Sequence, residues 1–338
     1  MSANTTSEPA VDVGIPAWGQ PVYLGRAVES VLGQSFGSLR LRISHDGHGG
    51  DETKALIERY LADPRVSYAE AAERLGAAGN KTLLIRRGAG KYVALLDHDD
   101  FWGSDFLARR VRLLELHPEA AFVFSPSATV DRDGQILHPD RPLLPGGCYS
   151  SEEILPVVLR TSGIPGGTVL VRRTAYDAVG ATFADSFPRT YDYEMWIRLA
   201  LRFPVCYVIA WDAFWRRHPQ QASGDLRRLE EEYRSLLDHL GRLVAGERPG
   251  YELSPRECHV KLAGWLLSAS LDAVEQGNRA RSAAFLGRAL RIAPTRIADY
   301  RTGGAALGLL LGNRGGRLIA RIRRHVHRRR FQARPLAP

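Results

Sequence analysis
A chain of 338 residues, 44% hydrophobic and 25% charged, carries enough apolar material for a sizeable core, which excludes disorder along its whole length. The net charge of +9 is concentrated in one place: residues 301–338 hold ten Arg and no Lys, Asp or Glu, leaving the first 300 residues at −1. The main globule is near neutral, and the basic balance belongs to the C-terminal tail.

Residues 1–10 read as disordered, and the opening MSANTTSEPAVDV lacks the basic and apolar stretches of a secretory leader. The longest uncharged, apolar-leaning run, 303–313, is far shorter than the roughly 20 residues that span a bilayer. Cys148, Cys206 and Cys258 are widely spaced with no CxxC pair, so neither a disulfide framework nor a zinc knuckle is expected. That spacing points to a reducing, cytoplasmic setting.

Val11, Val13 and Ile15 alternate up to Pro16, which predicts a short strand. Leu24, Ala27, Val28, Val31 and Leu32 then recur at helical spacing until Gly33. Leu39, Leu41 and Ile43 form a second alternating run that ends at His45-Asp46-Gly47. A helix is predicted over about 51–62, a strand at 66–68, a helix around 78–88, and a doubly buried strand from Tyr92 to Leu96. Strand and helix alternate four times in about 100 residues, as in a mostly parallel sheet with covering helices. Such sheets bind ligands beyond the carboxyl ends of their strands. Asp46 and the cluster Asp97-His98-Asp99-Asp100 stand at those ends.

Further on, strands are predicted at 121–124, 168–172 and 205–210, and a helix at 190–203. After Gly224 only helical patterns remain, over 225–243, 256–277, 279–292 and 316–330, so a boundary is placed near 224. Segments 256–277 and 279–292 pair as one helical hairpin.

Two stretches imitate phosphate loops. In Gly76-Ala77-Ala78-Gly79-Asn80-Lys81-Thr82, Asn80 separates Gly79 from Lys81; in Gly88-Ala89-Gly90-Lys91 the next residue is Tyr92, where Ser or Thr is required. The acidic cluster is the stronger chemical signal. Three acids directly after a buried strand repel one another unless a cation joins them, and hard carboxylate oxygens suit Mg²⁺ or Mn²⁺. The competing reading is a solvated turn before the helix near Ser104. Asp46 fits either a turn and helix cap or a hydrogen bond to a base. Asp192, in the first turn of its helix, fits either a dipole partner or a general base.

Taken together and in order, these motifs resemble the family 2 glycosyltransferases of GT-A fold across 11–223. Val13-Gly14-Ile15-Pro16-Ala17-Trp18 resembles the first strand and nucleotide-contacting turn, and 27–35 the first helix. Ser44-His45-Asp46-Gly47 is similar to the family's Asp-Asp-Gly-Ser, with His45 replacing the first acid. Asn80 matches a family Asn, and Leu96-Asp97-His98-Asp99-Asp100-Phe101-Trp102 resembles the DxD signature. Asp192-Tyr193-Glu194-Met195-Trp196 resembles the acceptor-side helix, where Tyr191 stands in place of a common acid. Residues 216–223 resemble the closing motif.

The resemblance implies an α/β GT-A domain over 11–224, Rossmann-like with a mostly parallel mixed sheet. A helical C-terminal region (225–330) and a flexible basic tail (331–338) follow it. It implies a metal-dependent, inverting transfer of a sugar from a nucleotide diphosphate, UDP- or dTDP-linked, to the hydroxyl of a sugar, lipid-linked or other acceptor. Asp192 would be the general base, with Mn²⁺ or Mg²⁺ on Asp97 and Asp99. Pro16, Ala17, Asp46, Asn80, Asp97, His98 and His218 would bind the donor, His218 from the phosphate or metal side. Residues 131–168 would belong to the acceptor side. Cell-envelope polysaccharide, glycolipid or glycoconjugate synthesis is the expected setting, and a metal-dependent phosphohydrolase is the alternative. Leu318, Ile319, Ile322 and Val326 form an apolar stripe flanked by Arg317, Arg321, Arg324 and Arg328. That division suits either packing on preceding helices or peripheral docking on an anionic membrane, at the inner face of the cell membrane. Nucleic acid is not an expected partner, because the tail lacks interleaved aromatics.

Overall fold
The computed structural model describes residues 10–18, 22–47, 50–160, 164–218, 226–249, 251, 255–275, 277–298 and 301–311. The segments read as a disordered start (up to residue 9), 219–225 of the closing motif, the 316–330 stripe and the 331–338 tail lie outside the described residues. The chain divides into two compact units. The first comprises residues up to Ile136, Asp140–Leu155 and Ile164–Pro219; the second comprises Leu137–Pro139, Pro156–Gly163 and Gln220 onward.

In the first unit, β1 (Val11–Ala17), β2 (Leu39–His45), β3 (Val66–Glu70) and β4 (Tyr92–Leu95) run parallel in the order β3-β2-β1-β4. The helices α1 (Leu24–Leu32), α2 (Gly50–Glu58) and α3 (Gly76–Arg86) connect them. Every residue of β1 is buried, as in a strand covered on both faces. Pro16 does not end β1 as its sequence position suggests. Strand β4 leaves β1 after Gly14, so Pro16 pairs with β2 alone, a place where a missing N–H is tolerated.

The sheet continues through β10 (Leu170–Arg172), antiparallel to both β4 and β6 (Phe122–Phe124), and then β11 (Val205–Tyr207) and β9 (Gly147–Tyr149). A smaller sheet holds β5 (Phe101–Trp102), β12 (Ala213–Arg216) and β7 (Ala128–Val130) in that order. The mixed sheet with flanking helices agrees with the expected class. The short strands β5, β7, β9 and β12 were not separated by sequence pattern, since two to four residues show no usable periodicity.

One expectation is corrected. Cys148 on β9 and Cys206 on β11 stand directly opposite in register and are joined by a disulfide. They are 58 positions apart in sequence, and only the pairing of the two strands brings them together.

Two buried ionic centres tie this unit together. Asp12, on β1, accepts from Gly90 N at 2.6 Å and Arg173 Nη2 at 2.7 Å, and also pairs with Arg42. The 88–91 phosphate-loop imitator is therefore the turn that wraps Asp12. A Cβ at Gly88 would fall 2.3 Å from Asp12 Oδ2, which makes glycine necessary there.

The second centre is Arg110 of α4 (Phe106–Leu116), whose side chain is fully buried. It donates to Asp212 Oδ1 at 2.9 Å, Thr168 O at 2.9 Å and Ser125 Oγ at 2.6 Å. It thus fixes the 3-10 turn Gly166–Thr168 and the approach to β12.

In the second unit, α8 (Leu226–Glu247), α9 (Pro255–Glu275) and α10 (Arg279–Ile292) are helices, as expected. Gly277, at φ +78°, turns the chain between α9 and α10, and Asn278 caps α10 by accepting from Arg281 N at 3.1 Å. Ser270 donates to Ser282 O at 2.8 Å inside that hairpin. A further helix over 301–311, unread in the sequence because its residues are mostly Gly, Ala and Leu, places Ala305 against Leu271 and Val274. None of the described helices is long and apolar enough to cross a membrane.

Breaking a buried ion pair from one side leaves the other charge uncompensated, at a cost of about 3–5 kcal/mol. Asp212→Ala is expected to lower unfolding free energy by that order in urea titration of the full chain. A loss under ~1 kcal/mol would show that the Arg110 guanidinium finds other compensation.

Candidate functional site
Strand β4 ends under the acidic loop. Leu96 N donates to Gly14 O at 3.0 Å, carrying the sheet one residue further, and Asp100 N closes a turn onto Asp97 O at 3.0 Å. Each of the three acids then meets a different cation or donor. Asp97 Oδ1 lies 2.7 Å from Lys81 Nζ of α3. Asp99 Oδ2 lies 2.9 Å from His218 Nε2. Asp100 Oδ1 accepts from Arg216 N at 2.8 Å.

The partners from 216–218 arrive because β12 runs antiparallel to β5, with Ala213 opposite Trp102 and Phe214 opposite Phe101. Two residues beyond Phe214 the chain reaches Asp100, and two more bring His218 to Asp99. Arg216 holds this return. Its Nε donates to Asp99 O at 2.8 Å and its Nη1 to Arg132 O at 2.7 Å. Its guanidinium lies 4.6 Å from the Tyr23 ring centroid and 5.2 Å from that of Phe101. The His218 ring packs on Tyr23 at 5.1 Å.

Asp192 stands in the first turn of α7 (Tyr191–Arg202). Aromatic packing seats this helix: Trp196 meets Phe122 and Phe183, and Phe183 meets Tyr191 edge-on. The Gly166-Gly167 turn passes close to the acids. A Cβ at Gly166 would lie 3.5 Å from Asp192 Oδ2, and one at Gly167 would lie 3.8 Å from Asp100 Oδ2. Trp102 Nε1 donates to Gly167 O at 2.7 Å and keeps the turn in place.

Burial raises the pKa of Asp192 above the ordinary Asp value, against the pull of the nearby Lys81 ammonium. Asp100 is raised well above it, by burial first and then by the charges of Asp99 and Asp97. The Tyr191 hydroxyl is pushed to about 12, chiefly by burial. Burial alone would lower the Lys81 ammonium, but Asp97 and Tyr191 outweigh it and hold it well above its ordinary value.

A second group forms at the ends of β1 and β2. Pro16 and Ala17 lie beside Ser44 and His45, and Ala17 O accepts from Asp46 N at 2.9 Å. Asp46 spends its carboxylate on the start of α3, Oδ1 accepting from Leu75 N at 2.6 Å and Oδ2 from Gly76 N at 3.1 Å. Asn80 Nδ2 donates to Ser44 O at 2.9 Å, so it clamps α3 to the end of β2. Trp18, about half exposed, carries the Arg74 guanidinium 5.4 Å from its ring centroid. His98 is half-buried in the acidic loop.

The structure thus pairs Asp99 with His218 and Asp97 with Lys81, whose charge also reaches Asp192, while Pro16, Ala17, Asp46 and Asn80 form a neighbouring set along α3 and β2. Lys81, Tyr23 and the backbone of Gly166-Gly167 were not singled out from sequence. The usable signal for Lys81 was the excess of acids at one strand end, which requires a resident cation.

Capping contacts of the Asp46 kind contribute about 0.5–2 kcal/mol. Asp46→Ala is expected to lower stability by that amount in chemical denaturation; no change would mean that the α3 contacts are incidental.

Comparison with known proteins follows the same lines. A sequence model of "Glycosyl transferase family 2" matches residues 12–180. The chain is 30% identical over 258 residues to an uncharacterized protein, y4gI, of Sinorhizobium fredii, covering 71% of this chain and 26% of that protein. It is 31% identical over 137 residues to the chondroitin synthase of Escherichia coli, covering 40% of this chain and 20% of that one. The chain thus spans only about a quarter and a fifth of the length of these two relatives. The crystal structure of S. aureus TarS 1–349 in complex with UDP-GlcNAc is similar with a TM-score of 0.57 at 13% identity, over 94% of this chain and 92% of that one. The fold is the GT-A arrangement.

Proposed function
The chain belongs to glycosyl transferase family 2, and from that premise we propose that it moves a sugar from a UDP- or dTDP-linked donor to an acceptor hydroxyl with inversion at the anomeric carbon. One observation carries this reading: the acidic loop after β4, the returning His218 and the half-buried Asp192 of α7 are assembled at one end of the sheet.

Asp97 and Asp99 offer hard carboxylate oxygens of the kind a divalent cation takes, but as they stand they are engaged by Lys81 and His218 and do not converge with His218 on one point. Asp99 and His218 face each other, and Asp97 keeps one carboxylate oxygen beyond the one paired with Lys81. Asp97 and Asp99 would hold Mn²⁺ or Mg²⁺, which when bound offsets the charge developing on the leaving diphosphate.

The protein's own groups do the rest. Asp46 accepts from the base N3–H with the lone pairs its α3 contacts leave, and Pro16, Ala17 and Asn80 shape that end of the pocket. His98 joins the donor from the acidic loop. Asp192 takes the proton of the attacking acceptor hydroxyl as the bond to the anomeric carbon forms, and the C–O bond to the diphosphate breaks on the opposite face. A single displacement inverts the configuration. The likeness to a chondroitin synthase supports a sugar chain or related envelope glycoconjugate as acceptor. The Arg-rich tail would hold the enzyme at an anionic membrane surface, where such acceptors reside.

Release of nucleoside diphosphate from a panel of nucleotide sugars, with the anomeric configuration of the product read by NMR, tests this reading. Release of inorganic phosphate without sugar transfer would establish the phosphohydrolase instead. Asp99→Ala is expected to abolish transfer and the metal-dependent part of donor binding; turnover by this variant in EDTA would refute the metal assignment. Asp192→Asn is expected to lower kcat ~10²–10⁴-fold with donor affinity nearly unchanged. Because burial raises the Asp192 pKa, the base is protonated, and transfer lost, as pH falls through a value above the ordinary 3.8. A pH–rate profile that stays flat down to that value would contradict the role.

A further inference from the structure
Asp192 and Asp97 belong to opposite sides of the proposed reaction, one facing the acceptor and one the donor, yet a single side chain lies between them. Lys81 projects from α3 with its side chain only 6% exposed. Its ammonium is 2.7 Å from Asp97 Oδ1 and 5.1 Å from the Tyr191 ring centroid, and the Tyr191 hydroxyl also acts on its charge. Tyr191 directly precedes Asp192 in the first turn of α7, and the Lys81 charge acts on the Asp192 carboxyl.

A lysine is seldom this buried, and removing its ammonium from water is repaid only where anions surround it. Here the carboxylates of Asp97 and Asp192 supply the negative charge, from the acidic loop and from α7, and the Tyr191 ring lies beside the ammonium. A cation confined to one carboxylate would need only Asp97; this one reaches across to the helix that carries the base.

We propose that Lys81 is a positioning residue for sugar transfer: one buried ammonium that ties the donor-side Asp97 to the first turn of α7 and keeps Asp192 seated as a base for the acceptor hydroxyl. The inference rests on the reading of Asp192 as that base. It gives α3 a second task. Asn80 clamps the helix to the end of β2, and the next residue reaches the opposite side of the site. The same contact gives Tyr191 a purpose: a phenol can face Lys81 without adding a fourth negative charge beside Asp97, Asp99 and Asp192.

A double-mutant cycle on the full-length enzyme decides the matter, with the donor that releases most nucleoside diphosphate in the panel above. Wild type, Lys81→Met, Asp192→Asn and the double variant are compared for transfer, after thermal melts establish that each is folded. If Lys81 works through Asp192, Lys81→Met lowers kcat ~10²-fold or more, whereas adding it to Asp192→Asn costs under ~3-fold. Lys81→Arg, which keeps the charge, retains at least ~10% of wild-type kcat, and it stands in if Lys81→Met does not fold. In that case Tyr191→Phe, which deletes only the hydroxyl contact, takes the place of Lys81→Met in the cycle. Losses that multiply in full, or a Lys81→Met enzyme within ~3-fold of wild type, overturn the proposal. Failure of the underlying reading looks different: Asp192→Asn then transfers as well as wild type, whatever Lys81 does, and the proposal falls with it.

Discussion
Carboxylates crowded where a buried strand ends must each be matched by a positive or hydrogen-donating group, and this requirement organises the first unit. Asp97, Asp99 and Asp100 follow one another after a fully buried strand. Left in the interior they would protonate or force the loop into water. Instead Lys81, His218 and the Arg216 backbone each take one of them. Three segments far apart in sequence are thereby pulled to one place.

The same principle runs deeper in the fold. Asp12 and Arg110 are buried charges whose partners come from distant segments, Arg42, Gly90 and Arg173 for the first, and Asp212, Ser125 and Thr168 for the second. Arg110 matters for the site although it does not touch it. By holding Thr168 and Asp212 at once, it fixes the Gly166-Gly167 turn that runs past Asp192 and Asp100, and the entry to β12 that returns Arg216 and His218. Burial of such networks is favourable only when every member is satisfied, which gives a single arrangement rather than many.

Structural contacts and proposed donor binding fall on the same residues. Asp46 and Asn80 carry the donor-side expectations of the family, yet their visible contacts are with α3 and β2. A carboxylate that accepts two backbone N–H groups is held in one orientation, which is the condition for presenting its remaining lone pairs to a ligand. The cap and the proposed binding role do not conflict, because the cap fixes the direction in which the free lone pairs of Asp46 point.

The alternation of Val11, Val13 and Ile15, the helical spacing from Leu24 to Leu32 and the apolar run at Tyr92 determined the parallel half of the sheet from sequence alone, because periodicity is a local property of the chain. The same local reading placed acids at the strand ends and helices after residue 225. What it could not reach were pairings set by contact between remote segments. Lys81 sits in an unremarkable helix and acquires its role only when α7 closes over it. Cys148 and Cys206 are unrelated until β9 and β11 align them, and β5 and β12 are too short to show a pattern before they pair. Tertiary structure decided these because a buried charge, a thiol or a two-residue strand has no preferred partner in its own neighbourhood, and finds one only where the chain returns.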